Sequence, residues 1–319
     1  MGLRVPEDGF EVLSEQFTRV CFIGAVGRSG STLLELLLAR VPGVVTLGET
    51  IHLLERGLIA NELCTCGELF SECAFWTAVG DEAFGGWPYE RATELLELQH
   101  QVDKHRQLLR LHRPRGAFSR RLSSFVDGFM APVFTAAQRI TGANLVVDAS
   151  KHPSHAMVLA TSNALDLRTV HLVRQPEGVA NSWSKDVNRP EVVTETTSMP
   201  RYSVSRSSLR WLMWNLLFEV EGRRDHTTLR LRYEDLVADP GAAVDAVIAH
   251  CGGLATDSPV PSNVHGIGGN PMRFSSEAIE VVADEEWRED LSSRQIRIVE
   301  AVSAPLRRRY GYSSQDGSK

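Results

Sequence analysis

The chain has 319 residues, of which 43% are hydrophobic and 23% are charged, and its formal net charge is −6 at pH 7. These values are ordinary for a globular protein and exclude extended disorder as a dominant feature. The negative net charge argues against a nucleic-acid partner, so any anion site must be local. No apolar run approaches the roughly 20 residues of a membrane span, and we expect a cytoplasmic protein.

Short apolar runs alternate with helical patterns along the chain. Strands are predicted at Val20 to Ile23, Val44 to Leu47, Leu145 to Val147, Thr169 to Val173 and Thr228 to Leu231. Helices are predicted at Ser31 to Leu38, Tyr89 to Leu111, Ser119 to Thr141, His155 to Ala160, Gly178 to Trp183, Ser207 to Glu221 and Gly241 to His250. This alternation is typical of βα units, so we predict a three-layer α/β fold with a central, mainly parallel sheet flanked by helices.

The first strand leads into a glycine-rich turn and a helix in CFIGAVGRSGSTLLELLL, residues 21–38. When Gly30 is aligned with the second glycine of the pattern GxxxxGK[ST], Ser31 takes the position of the lysine. The amides and the helix dipole still favour an anion, and Arg28 places a cation inside the turn. We predict a P-loop NTPase-like fold whose loop binds something other than a magnesium triphosphate. A turn that only lets strand and helix pack closely is the alternative.

A second candidate phosphate site follows the fourth predicted strand. The segment TVHLVRQPEGVANSWS places Arg174 at the strand end and Ser182 on the next helix. Both residues are expected at the carboxyl edge of the sheet, where ligands bind in open α/β folds. A guanidinium and a hydroxyl there can hold a second phosphate.

Three of the five cysteines, Cys64, Cys66 and Cys73, cluster in CTCGELFSEC. The odd total and the expected cytoplasmic location argue against a disulfide framework. The three thiols could bind zinc, but the second CxxC or HxxxH pair of a strong zinc pattern is missing. We predict a compact loop with partly buried thiols and no metal, and whether the thiols bind a metal stays open.

Taken together and in this order, the two phosphate motifs resemble those of sulfotransferases that use 3′-phosphoadenosine 5′-phosphosulfate (PAPS). GAVGRSGSTLL is similar to their 5′-phosphosulfate loop, and RQPEGVANS to their 3′-phosphate motif. LGET, SKHP and RYEDLVADP are similar to segments of tyrosylprotein sulfotransferases, and HGIGGNPMRF resembles a closing loop of bacterial small-molecule and carbohydrate members. The resemblance covers about residues 19–240 and implies a single sulfotransferase domain over residues 1–319.

The resemblance also implies which residues form the nucleotide site. Those expected at the 5′-phosphosulfate are Arg28, Ser29, Gly30, Ser31 and Thr32. Those expected at the 3′-phosphate are Arg174 and Ser182, with Tyr233, Gly269, Asn270 and Arg273 completing the site. Where the tyrosylprotein enzymes have a second arginine this chain has Asp186, so Arg273 is expected to supply the remaining charge. Protein tyrosine is thereby not implied as the acceptor.

The implied reaction moves a sulfuryl group from PAPS to a hydroxyl of a small-molecule, carbohydrate or lipid acceptor, leaves 3′,5′-adenosine bisphosphate (PAP), and needs no metal. The resemblance makes Glu49 the general base, and Lys151 and Arg28 the groups that stabilise the leaving nucleotide. Glu49 could instead cap a helix that begins near Thr50, and Lys151 could be an exposed lysine at a strand end. His52 and His152 are further candidates for substrate contact.

Two long insertions, residues 61–115 and 185–206, are expected to form the acceptor side. Trp183, Trp211 and Trp214 are interpreted as core or adenine-pocket residues. One alternative function is a P-loop small-molecule kinase in which Asp148 holds magnesium, although Ser31 in the lysine position argues against it. The other is a non-catalytic nucleotide-binding protein.

Overall fold

The structure, a computed structural model, describes residues 17–192, 198–225, 227–253, 264–274 and 281–312. Within these ranges the central element is a five-stranded sheet. Its strands are β1 (Thr18–Ala25), β2 (Val44–Thr46), β3 (Leu145–Lys151), β4 (Leu165–Val173) and β5 (Thr228–Arg232). They lie in the order β2-β3-β1-β4-β5, and every neighbouring pair is parallel. The prediction of a mainly parallel sheet built from these strands is confirmed.

Helices connect and cover the strands. The α-helices are α1 (Ser31–Leu38), α2 (Ala74–Phe84), α3 (Ala92–Val102), α4 (Leu108–Leu111), α5 (Gly116–Phe125), α6 (Ala131–Thr141), α7 (Pro153–Leu159), α8 (Pro176–Ser184), α9 (Val204–Asp225), α10 (Tyr233–Ala238), α11 (Pro240–Cys251), α12 (Trp287–Asp290) and α13 (Ser293–Arg307). Wider π-helical turns span Leu53–Ile59 and Val126–Met130, and 3₁₀ turns span Thr50–His52, Tyr89–Arg91, His105–Gln107, Pro271–Phe274 and Arg308–Tyr310. None of these helices has the length and apolar character needed to cross a membrane.

The sheet is the middle of three layers because alternate residues of β1 reach opposite faces. Val20 and Phe22 pack in a core cluster with α5 and α6, whereas Cys21, Ile23 and Ala25 pack in a second cluster with α1 and α11. Burial on both faces explains why this strand reads as a continuous apolar run. The predicted P-loop NTPase-like α/β architecture is confirmed. The extension of one domain over residues 1–319 includes positions outside the described ranges and stays a prediction.

The predicted helix from Tyr89 to Leu111 is wrong as a single element. The helix α3 ends at Val102, and Asp103 adopts a non-helical conformation with φ −105° and ψ 74°. The side chain of Asp103 bonds His155, with 2.6 Å between Oδ2 and Nδ1. A tertiary contact therefore breaks a segment whose periodicity is helical throughout.

The predicted helix from Ser119 to Thr141 is present but contains a wider turn at Val126–Met130. Pro132 lies in the first turn of α6 and has no N–H to donate to the carbonyl of Gly128. A π-helical turn before such a proline accommodates the missing bond. The helix α13 was not predicted, although its capping box of Ser292 and Gln295 is a readable start signal.

A buried polar network joins the turn after α3 to the end of β3. His155 Nδ1 donates to Asp103, and His155 Nε2 lies 3.2 Å from Thr50 Oγ1, which donates to Asp148 Oδ2 over 2.8 Å. Burial alone would lower the pKa of His155, but the carboxylates of Asp103 and Asp148 raise it to about 9. The imidazolium thus links two carboxylates in a site with no solvent exposure.

This network predicts a loss of stability in mildly alkaline solution. Because the folded-state pKa of His155 is raised, its stabilisation is complete below the unfolded value of about 6.5 and disappears as the pH passes about 9. The melting temperature should fall over this interval, and His155→Gln should reduce that slope. The exposed His100 provides a control, since His100→Gln should keep the slope of the native chain. An unchanged slope in His155→Gln would contradict the assignment.

Candidate active site

The carboxyl edge of the sheet opens into a cavity of about 740 Å³. Small-molecule sites usually measure about 300–1,000 Å³, so the cavity has room for a nucleotide-sized ligand. The predicted site residues that line it are Arg28, Gly30, Ser31, Thr32, Glu49, Lys151, Arg174, Ser182, Tyr233, Gly269 and Asn270. These residues come from the ends of all five strands, from the helices α1 and α8 that follow two of them, and from the segment of residues 264–274.

The glycine-rich turn after β1 has a conformation that glycine alone fits. Gly30 has φ 90°, and a Cβ there would lie 2.5 Å from Cδ2 of the Tyr233 ring. Gly30 offers no side-chain cap to α1, and Ser31 and Thr32 line the cavity directly after it. The uncapped amides and the positive end of the helix dipole therefore face the cavity, which suits an anion.

Arg28 adds a cation to this turn. Its backbone has φ 75°, a left-handed conformation that is costly for a residue with a Cβ. Its guanidinium lies 5.2 Å from the centre of the Trp183 ring and donates to Met199 Sδ over 3.0 Å. Among the described residues, no carboxylate is within ion-pair distance of it. A half-buried guanidinium without a paired anion, beside uncapped helix amides, is a binding group for an oxyanion.

Glu49 and Lys151 form an ion pair inside the same cavity. Burial alone would raise the pKa of Glu49, but the ammonium of Lys151, with a smaller effect of His52, lowers it to about 2. The Glu49 carboxylate is therefore ionised. Lys151 ends β3 with φ 69°, so it is a second non-glycine cavity residue with a left-handed backbone. Such strain is concentrated at functional sites.

The alternative roles of these two residues do not match the geometry. The 3₁₀ turn at Thr50–His52 follows Glu49, but the Glu49 side chain makes no capping hydrogen bond to it. The amide of Thr50 instead points to Asp148 Oδ1 at 3.4 Å. The Lys151 side chain is only 12% exposed, so it is not an exposed lysine at a strand end.

Asp148 does not line the cavity, contrary to its role in the kinase alternative. It is fully buried and accepts hydrogen bonds from Ser150 N over 2.8 Å, from Ser150 Oγ over 2.5 Å and from Thr50 Oγ1. Its carboxylate oxygens are thus occupied by donors that fix the turns carrying Glu49 and Lys151. This is a structural role.

Arg174 and Ser182 both line the cavity, as the second motif predicts. The Arg174 guanidinium donates to the carbonyl of Arg28 over 3.0 Å and lies 4.4 Å from the centre of the Tyr233 ring. It also pairs with Asp284, with 2.7 Å between Nη2 and Oδ2. Arg174 therefore connects the two motifs, and its guanidinium is paired with the carboxylate of Asp284.

Two residues predicted to bind the nucleotide do not reach the cavity. Ser29 is buried, and within the described residues its Oγ has no hydrogen-bond partner. Arg273 forms a buried ion pair with Glu35, 2.9 Å between Nη2 and Oε2, and donates to the carbonyl of Ile267 over 3.3 Å. The guanidinium of Arg273 is thus engaged by Glu35, Arg273 is not among the residues that line the cavity, and a role at the 3′-phosphate stays a prediction. Through these two bonds the guanidinium of Arg273 stabilises the segment of residues 264–274.

The remaining wall of the cavity contains residues that the motifs did not predict. These are Arg56, Arg189, Ser198, Met199, Tyr202 and Arg210, and the candidates His52, His152, Trp183 and Trp214 join them there. Trp211 is core, and its indole N–H donates to the carbonyl of Arg174. Arg210 lies 4.4 Å from the centre of the Trp214 ring, and no local sequence pattern marks this position on α9.

The two predicted insertions differ in where they lie. The segment 185–206 contributes Arg189, Ser198, Met199, Pro200 and Tyr202 to the cavity, while its residues 193–197, with Thr194, Thr196 and Thr197, lie outside the described residues. The segment 61–115 contributes none of the residues that line the described cavity wall. Much of it packs into the core on the α5–α6 side of the sheet.

Comparison with known proteins identifies the class. The model of the sulfotransferase family matches residues 21–257, so the chain belongs to the sulfotransferase family. The resemblance found in the sequence motifs is thereby confirmed at the level of the family, and the chain is a sulfotransferase. A comparison with curated protein sequences gives no match.

Solved structures similar to this chain are sulfotransferases too. The sulfotransferase domain of the Synechococcus PCC 7002 olefin synthase is 20% identical, with 90% of this chain and 98% of that chain covered and a TM-score of 0.46. Mouse sulfotransferase SULT7A1 in complex with PAP is 13% identical, with 95% and 88% covered and a TM-score of 0.43. Sulfotransferase STF1 from Mycobacterium tuberculosis H37Rv is 15% identical, with 76% and 69% covered and a TM-score of 0.38.

The geometry of the turn predicts the effect of Gly30→Ala. The new Cβ meets the Tyr233 ring at 2.5 Å and holds a left-handed backbone, so the loop should shift and lose anion affinity as well as about 1–2 kcal/mol of stability. Gly142 has φ 65° with nothing within 4 Å of a Cβ, so Gly142→Ala carries the backbone cost alone. Calorimetric titration with PAP and thermal unfolding distinguish them. Equal PAP affinity in both variants would contradict an anion site at the turn.

Proposed function

We propose that this sulfotransferase uses PAPS as the donor and transfers its sulfuryl group to a hydroxyl of the acceptor, with Glu49 as the general base. The observation that carries the proposal is the Glu49–Lys151 ion pair in the same cavity as the uncapped turn of Arg28 and Gly30. A base, a cation and an anion cradle within one cavity are the groups that an in-line transfer to a hydroxyl requires.

The two phosphate motifs support a donor with phosphates at both ends. The amides at the start of α1, with Arg28, suit the 5′-phosphosulfate, because several donors converge there on a tetrahedral anion. Arg174 and Ser182 suit the 3′-phosphate, since Arg174 already holds a carboxylate in the cavity. Binding of the 3′-phosphate then requires Asp284 to release the guanidinium.

The pairing of Glu49 with Lys151 suggests how the base becomes active. A carboxylate with a pKa of about 2 is a weak base while the ammonium stays beside it. When Lys151 turns to the bridging oxygen between the sulfuryl group and the nucleotide, burial is left as the main influence on Glu49, and its pKa rises. Glu49 can then accept the proton of the acceptor hydroxyl, while Lys151 stabilises the charge that develops on the leaving nucleotide.

Both alternative functions are less consistent with these residues. A P-loop kinase needs a carboxylate at the magnesium beside the phosphates, and Asp148 is buried beneath the cavity with its oxygens bonded to Thr50 and Ser150. Ser31 also occupies the lysine position. A non-catalytic binding protein would not need Lys151 in a strained backbone beside a buried carboxylate.

The first test concerns the 3′-phosphate. A charge-assisted hydrogen bond is worth about 1.5–3 kcal/mol, so Arg174→Ala should weaken PAP binding about tenfold or more and affect AMP much less. Asp284→Asn removes the competing carboxylate charge, so it should leave PAP affinity equal or higher. Calorimetric titration of both ligands measures these changes. An equal loss for PAP and AMP in Arg174→Ala, or a weaker PAP complex in Asp284→Asn, would contradict the assignment.

The second test concerns the general base. Glu49→Gln keeps the size of the side chain but removes the proton acceptor, so turnover with PAPS should fall about 10²- to 10⁴-fold with PAP affinity nearly unchanged. Glu55 also approaches His52, at 3.8 Å, but its side chain is 63% exposed, so Glu55→Gln should retain turnover. A Glu49→Gln protein that is active and only less stable would remove Glu49 from the reaction.

A further inference from the structure

Four potential metal ligands meet at one point outside the active-site cavity. Cys64 and Cys66 lie in the loop before α2, Cys73 immediately precedes that helix, and His265 lies in the segment of residues 264–274. Their ligand atoms all lie within 4.8 Å of one another. We propose that these four residues bind a structural zinc ion that ties the cysteine loop to the segment beside the active site.

Three of the six separations between the ligand atoms are close to the edges of a zinc tetrahedron, and all six are within 4.8 Å. Cys66 Sγ lies 3.6 Å from Cys73 Sγ, and His265 Nδ1 lies 3.7 Å from Cys64 Sγ and 3.4 Å from Cys73 Sγ. With Zn–S bonds of about 2.3 Å and a Zn–N bond of about 2.0–2.1 Å, a regular tetrahedron has S···S edges of about 3.8 Å and S···N edges of about 3.6 Å. One ion can thus contact all four atoms with only small movements.

The ligand set selects zinc and a structural role. Three thiolates and an imidazole form a Cys₃His set, which is typical of closed structural zinc sites. Four protein ligands fill the coordination sphere, so the site has no open position for a substrate. None of the four residues lines the active-site cavity. The ion would therefore stabilise the fold and take no part in the transfer.

The surrounding backbone already presents the ligands in this arrangement. Cys64 N donates to the carbonyl of Glu68 over 2.8 Å, and Gly67 N donates back to the carbonyl of Cys64 over 2.9 Å, which closes a tight turn around Cys66. The His265 ring stacks on Phe75 with 4.9 Å between centres and 10° between planes. A ligand whose ring is held by packing needs little reordering to bind a metal.

The position of His265 gives this site a consequence for the active site. Two residues further along the chain, Ile267 accepts from Glu49 N over 2.8 Å and donates to the carbonyl of Leu47 over 3.2 Å. The same segment carries Gly269 and Asn270, which line the cavity. A zinc ion at His265 would hold the strip of backbone that positions both Glu49 and this part of the cavity wall.

The test measures metal on the full chain. The purified protein, expressed with zinc in the medium, should contain one zinc ion per chain by elemental analysis, and Cys64→Ser or His265→Gln should lose most of it. Cys251 is a buried cysteine in a different core cluster, so Cys251→Ala should keep the zinc. Zinc content unchanged in both ligand variants would overturn the proposal.

Substitution with cobalt keeps the test valid if the ligand variants fail to fold. The native chain loaded with Co²⁺ in place of zinc should show the visible absorption of tetrahedral cobalt together with thiolate-to-cobalt charge transfer. A purified protein that contains no zinc and shows no such spectrum after loading with Co²⁺ would reject the site. A disulfide among Cys64, Cys66 and Cys73 would reject it too. Both measurements are independent of PAPS and the acceptor. The zinc site can therefore be rejected while the proposed transfer reaction stands, and the transfer reaction can be rejected while the zinc site stands.

Discussion

Because all five strands run parallel, their carboxyl ends meet at one edge of the sheet, and the turns that follow them lie side by side there. Arg28, Glu49, Lys151, Arg174 and Tyr233 each follow or end a different strand, and all five line the same cavity. Residues more than 200 positions apart thus share one site because of strand direction alone. The topology determines where chemistry can occur, and the side chains at those five ends determine which chemistry it is.

The charged side chains at this edge of the sheet are positioned by a buried ion pair that lies beneath them. Glu35 is buried with Arg273, and it also accepts from Gly48 N over 2.9 Å. These bonds fix the turn that carries Glu49. A buried carboxylate without a partner would cost several kcal/mol, so such pairs are needed wherever the chain brings charge into the interior. These buried pairs support the cavity, where Lys151 is paired with Glu49 and Arg174 with Asp284, and Arg28 has no carboxylate within ion-pair distance among the described residues.

Strain is concentrated in the cavity. Arg28 and Lys151 are two of the three non-glycine residues with positive φ in the described chain, and each such conformation costs on the order of 1–3 kcal/mol. The turn of Arg28 is held by Arg174 at its carbonyl, and Lys151 by β3 and its partner Glu49. The rest of the fold offsets this cost, and the benefit is two cations that point into the cavity.

Local sequence patterns were enough to predict the strands, the helix α1 from Ser31 to Leu38, the glycine-rich turn and the family. These features are local, since apolar periodicity and motif spacing act over a few residues and can be read from the chain. The break at Asp103 could not be predicted in this way, because it depends on a contact with His155, 52 positions further along the chain.

Contacts between residues that are far apart in the sequence also depend on the tertiary structure. Arg273 pairs with Glu35, 238 positions away, and no motif around either residue predicts this contact. His265 is separated from Cys73 by 192 positions, so the cysteine cluster read as an incomplete metal pattern until the fold supplied a fourth ligand. A spacing rule cannot find such a partner, because it depends on how two distant loops pack against each other, as in the hydrogen bond of 3.1 Å from Thr65 N to the carbonyl of Gly266.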